Sequence, residues 1–139
     1  EIQFNSSDKK FISGRKAALF KYMAENGKMD TSIQVAHGCK QPDQWFINEH
    51  DKRLFIIETK FQQKPGSVCE KIQTPHFKVW QYNRQFPSYD IVYIYCLSDW
   101  FKDNCKAELE YLEHKHIPVF WGSDDDYKSK LVEFMSNYK

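Results

Sequence analysis

The amino-acid sequence predicts an α/β fold with three layers, in which helices cover both faces of a central mixed sheet. The 139 residues are 41% hydrophobic and include only 5 Gly and 5 Pro, a composition typical of a folded globular chain. Residues 90–97 form a nearly continuous apolar run, which predicts an interior strand covered on both sides. Helical and strand patterns follow the order α-β-β-β-α-β-α-β-α, which indicates that helices flank the sheet.

The organisation of the chain predicts one domain over residues 1–139, since no repeat or low-complexity segment divides it. Its start at Glu1 rather than at a methionine leaves open that it is a fragment of a longer chain. No apolar run approaches the ~18 residues of a membrane span, so we expect no membrane contact. The four cysteines match neither a small disulfide scaffold nor a zinc pattern, which favours a reducing, cytoplasmic setting.

The first half of the chain predicts a helix, a strand and a hairpin. Apolar residues at three- and four-residue spacing predict a helix that ends near Gly27. Alternation over residues 31–37 predicts a strand. Strands at residues 45–47 and 53–62 flank the polar segment 49–52, and together they predict a hairpin.

The second half predicts three helices and two strands. The segment 67–70 reads as a capping box that opens a helix, and Thr74-Pro75 restarts that helix until about Gln85. After the apolar strand, a helix over 102–115, a short strand over 117–121 and a helix over 127–138 complete the chain.

The register of the hairpin brings two acidic residues together. With a four-residue loop at 49–52, Trp45 lies opposite Ile56, and Asp43 lies opposite Glu58. The face that carries these pairs changes from apolar to polar at Glu58 and continues with Lys60 and Gln62. The opposite face is expected to stay buried along the strand; it consists of Phe55, Ile57, Thr59 and Phe61.

Such a pair of carboxylates predicts a cation site. Two carboxylates with Cβ atoms ~5.5 Å apart repel each other, and partial burial raises that cost. Mg²⁺, which Mn²⁺ could replace, binds oxygen ligands and often one or two carboxylates. Lys60, on the same face, could orient or deprotonate a water and offset charge at a phosphorus centre. The alternative is a solvated salt-bridge patch, which is common at strand ends.

Pro42-Asp43, followed after fourteen residues by Glu58-Thr59-Lys60, resembles the PD-(D/E)XK nuclease superfamily and its restriction-endonuclease branch. The resemblance covers about residues 13–121 and includes the core order α-β-β-β-α-β. It implies magnesium-dependent hydrolysis of double-stranded DNA to 5′-phosphate and 3′-hydroxyl ends. It also implies that Asp43 and Glu58 are metal ligands together with the Thr59 carbonyl, and that Lys60 lies beside the attacking water. A bacterial or phage protein, acting as a homodimer or with an additional specificity domain, is the corresponding expectation.

Further candidates lie around this motif. The residues that could reach the site or the substrate are Gln62, Glu70, Gln73, Lys71 and Glu25. Glu70 also has a purely structural explanation as the capping-box carboxylate, and Glu25 as surface. Related sequences usually have Asp where this chain has Cys69, so no acidic role is expected there.

DNA contacts are expected from the basic segment that follows the motif. The net charge of +1 provides no general positive field, but basic residues outnumber acidic ones between residues 60 and 84. The expected DNA-binding residues are Lys64, Lys78 and Arg84. The aromatic residues Trp80, Tyr82, Trp100 and Trp121 could stack on bases, although core or interface packing is the favoured interpretation for each.

Two other functions remain open from the sequence. One is a catalytically silent DNA-binding or assembly module on the same fold, and the other is a repair, recombination or RNA-cleaving nuclease. The intact set of Asp43, Glu58 and Lys60 favours an enzyme, because a scaffold alone does not require two adjacent carboxylates.

Overall fold

The computed structural model describes residues 2–6, 9–29, 42–61 and 69–138, and within these ranges the fold is mixed α/β. The strands are β1 (Ile2–Ser6), β2 (Lys9–Gly14), β3 (Gln44–Asn48), β4 (Arg53–Lys60), β5 (Asp90–Leu97) and β6 (Val119–Trp121). The α-helices are α1 (Ala18–Glu25), α2 (Pro75–Gln85), α3 (Trp100–Asn104), α4 (Lys106–His114) and α5 (Tyr127–Asn137). A short 3-10 helix, Cys69–Ile72, precedes α2.

The six strands form one mixed sheet in the order β1-β2-β3-β4-β5-β6. The first four are antiparallel neighbours, whereas β5 and β6 run parallel to β4. Parallel neighbours need a crossover connection, and here α2 lies between β4 and β5 in the chain, and α3 and α4 lie between β5 and β6. Because β4 and β5 are parallel, the C-terminal end of β4 lies beside the C-terminal end of β5, which is a buried strand.

The predicted hairpin register is confirmed. Trp45 pairs with Ile56 and Gln44 pairs with Ile57, as a four-residue loop at 49–52 requires. Asn48 and Asp51 close the loop, since the Asp51 backbone N–H donates to Asn48 Oδ1 at 3.0 Å. This side-chain-to-backbone contact links the two ends of the turn and supports the four-residue loop.

Two clusters of buried side chains lie on the two faces of the sheet. One cluster joins alternate residues of β3, β4 and β5 to α1, α2, α3 and α4 through Leu19, Tyr82, Phe101 and Leu112, among others. The other joins the opposite residues of these strands and Phe11 of β2 to Leu131 and Met135 of α5. Strands β3, β4 and β5 therefore pack against helices on both faces, and for β5 the near-continuous apolar sequence predicts this.

Several elements differ from the sequence-based prediction. β1 and β2 were not predicted; they precede α1 and extend the sheet beyond β3. The predicted strand over 31–37 and the start of the capping box at Ser67 lie outside the described residues. The helix predicted over 102–115 is two helices, α3 and α4, interrupted at Cys105.

The cysteine spacing matches no disulfide scaffold, but one pair of cysteines is nevertheless bonded. A disulfide joins Cys69 to Cys105, which are 36 residues apart with Cα atoms 5.5 Å apart. The 3-10 helix before α2 and the junction between α3 and α4 meet at this point, a long-range contact that cysteine spacing does not reveal. Cys96 is free and buried. Among the helices of the described part of the chain, none combines the length and apolar character needed to cross a bilayer.

Candidate active site

The candidate site lies at the end of the β3–β4 hairpin that is remote from its turn. β4 carries the apolar residues Leu54 to Ile57 through the core and then continues with Glu58, Thr59 and Lys60. Because side chains alternate along a strand, Glu58 and Lys60 project on the same face as Leu54 and Ile56. Glu58 is still buried, with 6% of its surface exposed. The Glu58 carboxylate is therefore buried at the edge of the apolar core.

Asp43 lies beside this strand end. It directly precedes β3, whose ladder with β4 ends at the pair Gln44 and Ile57. The Thr59 backbone N–H donates to Asp43 Oδ2 at 2.9 Å, so the carboxylate is held against the backbone of β4. Pro42 is anchored from the other side, because the Lys16 backbone N–H donates to the Pro42 carbonyl at 2.8 Å.

Lys60 forms an ion pair with Glu58. Its Nζ lies 3.3 Å from Glu58 Oε1, and the side chains are 22% and 8% exposed, respectively. The two residues are separated by one position on the same strand face, so their contact follows directly from the period of the strand. The ammonium is accessible to solvent while the carboxylate it contacts is not.

Burial raises the pKa of the Glu58 carboxyl above its ordinary value, and the negative charge of Asp43 raises it further. Lys60 and Lys78 act in the opposite direction without reversing the net effect. The effect of Lys78 indicates that a positive charge on α2 is within electrostatic range of Glu58. Glu58 is thus a carboxylate whose ionised form is destabilised by its surroundings.

Two tyrosines on β5 also face Glu58, and the sequence analysis missed both. Tyr95 is the parallel neighbour of Glu58, and Tyr93 is that of Ile56. Burial raises the pKa of both phenols, and the charge of Glu58 raises each of them further, so both stay protonated at neutral pH. Two uncharged phenol side chains therefore lie next to Glu58 on the neighbouring strand. The alternation of tyrosines in β5 was visible in the sequence, but its register against β4 was not.

The other predicted site residues are placed less centrally. Glu25 is exposed at the last position of α1, and Glu70 and Lys71 are exposed on the 3-10 helix. Gln73 is exposed, and its Nε2 donates to Glu108 Oε2 at 3.2 Å. Within the part of the chain that the structure describes, none of these four residues is among the groups that pair with Glu58 or shift its pKa. Gln62 and Lys64 lie outside the described ranges.

The aromatic residues divide into two groups. Tyr82 is buried in the core, and Trp100 and Trp121 are partly buried, as the packing interpretation predicted. For Trp80 the core-packing part of that interpretation is wrong, because 53% of its surface is exposed on α2, while packing at an interface stays a prediction. Phe61, expected on a buried face, is 58% exposed because β4 ends one residue earlier, and its ring lies against Gly122.

The donors at the hairpin end fit a hard divalent cation. Asp43 and Glu58 offer carboxylate oxygens, and a carboxylate that accepts one hydrogen bond keeps further lone pairs for a metal. A divalent ion would also relieve the repulsion that raises the pKa of Glu58. In the described residues, a group of three potential ligands occurs elsewhere, at Cys69, Cys105 and Glu108, but the disulfide occupies both sulfur atoms.

Comparison with protein-family models, with curated proteins and with solved structures finds no significant match to this chain. The function of the chain must therefore be inferred from the side chains at this end of the β3–β4 hairpin.

Proposed function

We propose that this chain is a magnesium-dependent endonuclease that hydrolyses phosphodiester bonds of double-stranded DNA, with the restriction-endonuclease-like three-layer fold. Coverage of one sheet face by α1 to α4 and of the other by α5 supports this arrangement. The products are 5′-phosphate and 3′-hydroxyl ends, the outcome of attack by water on phosphorus with departure of the 3′ oxygen.

The observation that carries the proposal is the unfavourable position of Glu58. Its carboxylate is buried and lies beside a second carboxylate, and the only ion pair of its side chain within the described residues is with Lys60. Burying a charge that is incompletely compensated costs several kcal/mol. A site selected only for stability would replace Glu58 with an amide or an apolar residue. Two carboxylates and an ammonium at one strand end instead support metal-assisted chemistry on a phosphate.

The residues have distinct roles in this proposal. Asp43, Glu58 and the Thr59 carbonyl would hold the ion, which when bound supplies Lewis-acid polarisation and lowers the pKa of water. Lys60 orients the attacking water and offsets the negative charge that develops on the phosphoryl oxygens. Tyr93 and Tyr95 exclude water beneath Glu58 while adding no charge of their own at neutral pH.

The test is cleavage of supercoiled plasmid in Mg²⁺ or Mn²⁺, with EDTA as the metal-free control. Lys60→Ala is expected to lose cleavage and to keep DNA binding. Lys52→Ala is a matched control, because Lys52 Nζ contacts Glu49 Oε1 at 3.2 Å at the other end of the same hairpin. We expect the Lys52 variant to cleave at the wild-type rate.

Three outcomes separate the alternatives. Binding of DNA without nicks or breaks in either metal, whether the DNA is plasmid or a duplex with a single-stranded tail and across a range of salt and protein concentrations, would replace the enzyme with a silent DNA-binding module. Cleavage of RNA in preference to DNA would move the chain to an RNA-cleaving nuclease. Equal loss of cleavage in the Lys52 and Lys60 variants would show that the hairpin as a whole, rather than Lys60, is required.

A further inference from the structure

The outward face of α2 carries exposed aromatic side chains. Phe77 and Trp80 are 56% and 53% exposed, while Tyr82 on the opposite side of the helix is buried in the core. Exposure of more than half of a large aromatic ring forgoes a substantial part of the free energy that its burial would provide. In the described part of the chain, only Phe61 among the other large hydrophobic residues is comparably exposed.

These rings form an ordered ladder with a cation. Phe77, Trp80 and Arg84 follow three- and four-residue spacing, which places them on one side of the helix. The Phe77 and Trp80 ring centroids are 5.9 Å apart with an interplanar angle of 31°. The Arg84 guanidinium carbon lies 4.8 Å from the centroid of the Trp80 ring. We call these three residues the α2 ladder.

The surroundings of the α2 ladder favour an anionic partner. α2 contains Lys78 and Arg84 and no aspartate or glutamate. Its other exposed residues, His76 and Asn83, are polar, so along α2 itself the two rings do not continue into a wide apolar patch of the kind typical of protein interfaces. Aromatic faces between cations are the arrangement by which proteins bind bases and phosphates together.

The α2 ladder is also adjacent to the candidate active site. Lys78 directly follows Phe77 and acts electrostatically on Glu58 from the inner side of α2. The ladder lies on the outer side of the same helix, about one helix diameter (~10–12 Å) from the side that carries Lys78. A strand that is bound at Glu58 and Lys60 can therefore extend across α2 within a few nucleotides.

We propose that the α2 ladder stacks on unpaired bases, so that the substrate of the proposed nuclease is duplex DNA with a single-stranded segment next to the bond that is cut. A duplex presents only base edges in its grooves, whereas an unpaired base offers its flat face to Phe77 and Trp80. Arg84 lies over the Trp80 ring and contributes a positive charge for a neighbouring phosphate. This proposal rests on the proposed endonuclease function and specifies its substrate.

The experiment compares the affinity of the protein for three fluorescent DNAs in EDTA, where no cleavage is expected. These are a blunt duplex, the same duplex with a single-stranded tail, and the single strand alone. The wild type should bind the tailed duplex more tightly than the blunt one. Trp80→Ala should weaken binding of the tailed duplex about tenfold and change blunt-duplex affinity by less than about twofold.

Matched variants separate stacking from general effects. Trp80→Phe should recover most of the affinity, because a phenyl ring also stacks. Asn83→Ala changes another exposed residue of α2 and should bind like the wild type. Arg84→Gln should weaken binding and reduce its salt dependence, whereas Lys106→Gln, which removes an exposed cation at the start of α4, should do neither.

Several results would overturn the proposal. Equal weakening of blunt and tailed duplexes by Trp80→Ala would show that Trp80 does not distinguish unpaired bases. A change of sedimentation coefficient in that variant would identify the α2 ladder as a protein interface. If the plasmid is cleaved in Mg²⁺ but tails give no gain in affinity, only the substrate assignment fails. If Trp80 is required for binding of the tailed duplex but no DNA is cut, the proposed endonuclease function is wrong. The proposed position of the tail beside the bond that is cut is then wrong as well.

Discussion

The two ends of the β3–β4 hairpin each carry a partly or fully buried glutamate. The surroundings of one glutamate favour its ionised form, whereas those of the other disfavour it. At the turn, Glu49 accepts hydrogen bonds from the Tyr22 hydroxyl at 2.5 Å and the Tyr89 hydroxyl at 2.6 Å. Lys52 adds an ion pair at 3.2 Å. Burial raises the pKa of Glu49, but the hydrogen bonds and Lys52 outweigh it and the net pKa is lowered.

At the other end, Glu58 is more deeply buried and has fewer compensating contacts. Its pKa is raised by burial and by Asp43, and Lys60 only reduces that effect. The nearby phenols, Tyr93 and Tyr95, hydrogen-bond with each other, whereas Tyr22 and Tyr89 donate to Glu49. Glu49 therefore stabilises the fold in its ionised form, whereas the surroundings of Glu58 on balance disfavour its ionised form despite the contact with Lys60.

The largest predicted difference between the two ends is in catalysis. Glu58→Gln keeps the shape of the side chain and removes a charged metal ligand, so DNA cleavage in Mg²⁺ should fall about 10²-fold or more. Glu49→Gln should retain cleavage, since its contacts are structural. Rates of plasmid cleavage at a temperature where both variants are folded provide the measurement. A larger loss in the Glu49 variant would reverse the assignment of the two ends.

The second difference is the response to Mg²⁺ in the absence of DNA. Binding to the native state alone stabilises it by about 1.4 kcal/mol at a free concentration tenfold above Kd. The wild type and Glu49→Gln should both show the corresponding rise in thermal midpoint. Glu58→Gln and Asp43→Asn should show little, because each removes a charged ligand. Titration at constant ionic strength excludes a general salt effect, and an equal rise in all four proteins would place the bound ion elsewhere.

The third difference is in stability without metal. Glu49→Gln replaces charge-assisted hydrogen bonds with neutral ones, which differ by about 1 kcal/mol, so urea unfolding at pH 7 should show a loss of roughly that size. Glu58→Gln should instead stabilise the protein, because it removes a buried charge that repels Asp43. If both variants lose stability, Glu58 is not held at an electrostatic cost and the central argument for a cation site fails.

The sequence predicts the pairing within the hairpin better than it predicts the contacts of the hairpin with other elements. The loop at 49–52 fixes the register, so the proximity of Asp43 and Glu58 follows from counting residues. The contacts of Glu58 with Tyr93 and Tyr95 depend on the parallel pairing of β4 with β5, which are separated by α2 and have no turn to set their register. For the same reason, the pairing of Tyr22 and Tyr89 with Glu49 was not predicted.

The exposed face of α2 and the disulfide were not predicted for related reasons. Apolar residues of α2 occur on both sides of the helix, with Val79 and Tyr82 inward and Phe77 and Trp80 outward, so periodicity alone does not identify the buried side. The Cys69–Cys105 disulfide depends on how the 3-10 helix meets the α3–α4 junction. Both features are tertiary, whereas the hairpin motif is local.

The smallest expected difference between the two ends is in how the free energy of unfolding depends on pH in EDTA. The ordinary pKa of both carboxyls is 4.5. Because folding lowers the pKa of Glu49, its contribution is present above pH 4.5 and is lost as the pH falls through the folded value. Because folding raises the pKa of Glu58, its contribution is present below pH 4.5 and is lost as the pH rises through the folded value.

Each variant should therefore differ from the wild type over a different pH range. The destabilisation by Glu49→Gln should be greatest near neutral pH and shrink below pH 4.5, while the stabilisation by Glu58→Gln should grow as the pH rises above 4.5. The charged or phenolic groups that act on Glu58, namely Asp43, Lys60, Lys78, Tyr93 and Tyr95, are unchanged in the variant. Urea unfolding from about pH 3.5 to 7 measures both curves, and parallel curves would show that the two glutamates have the same electrostatic environment.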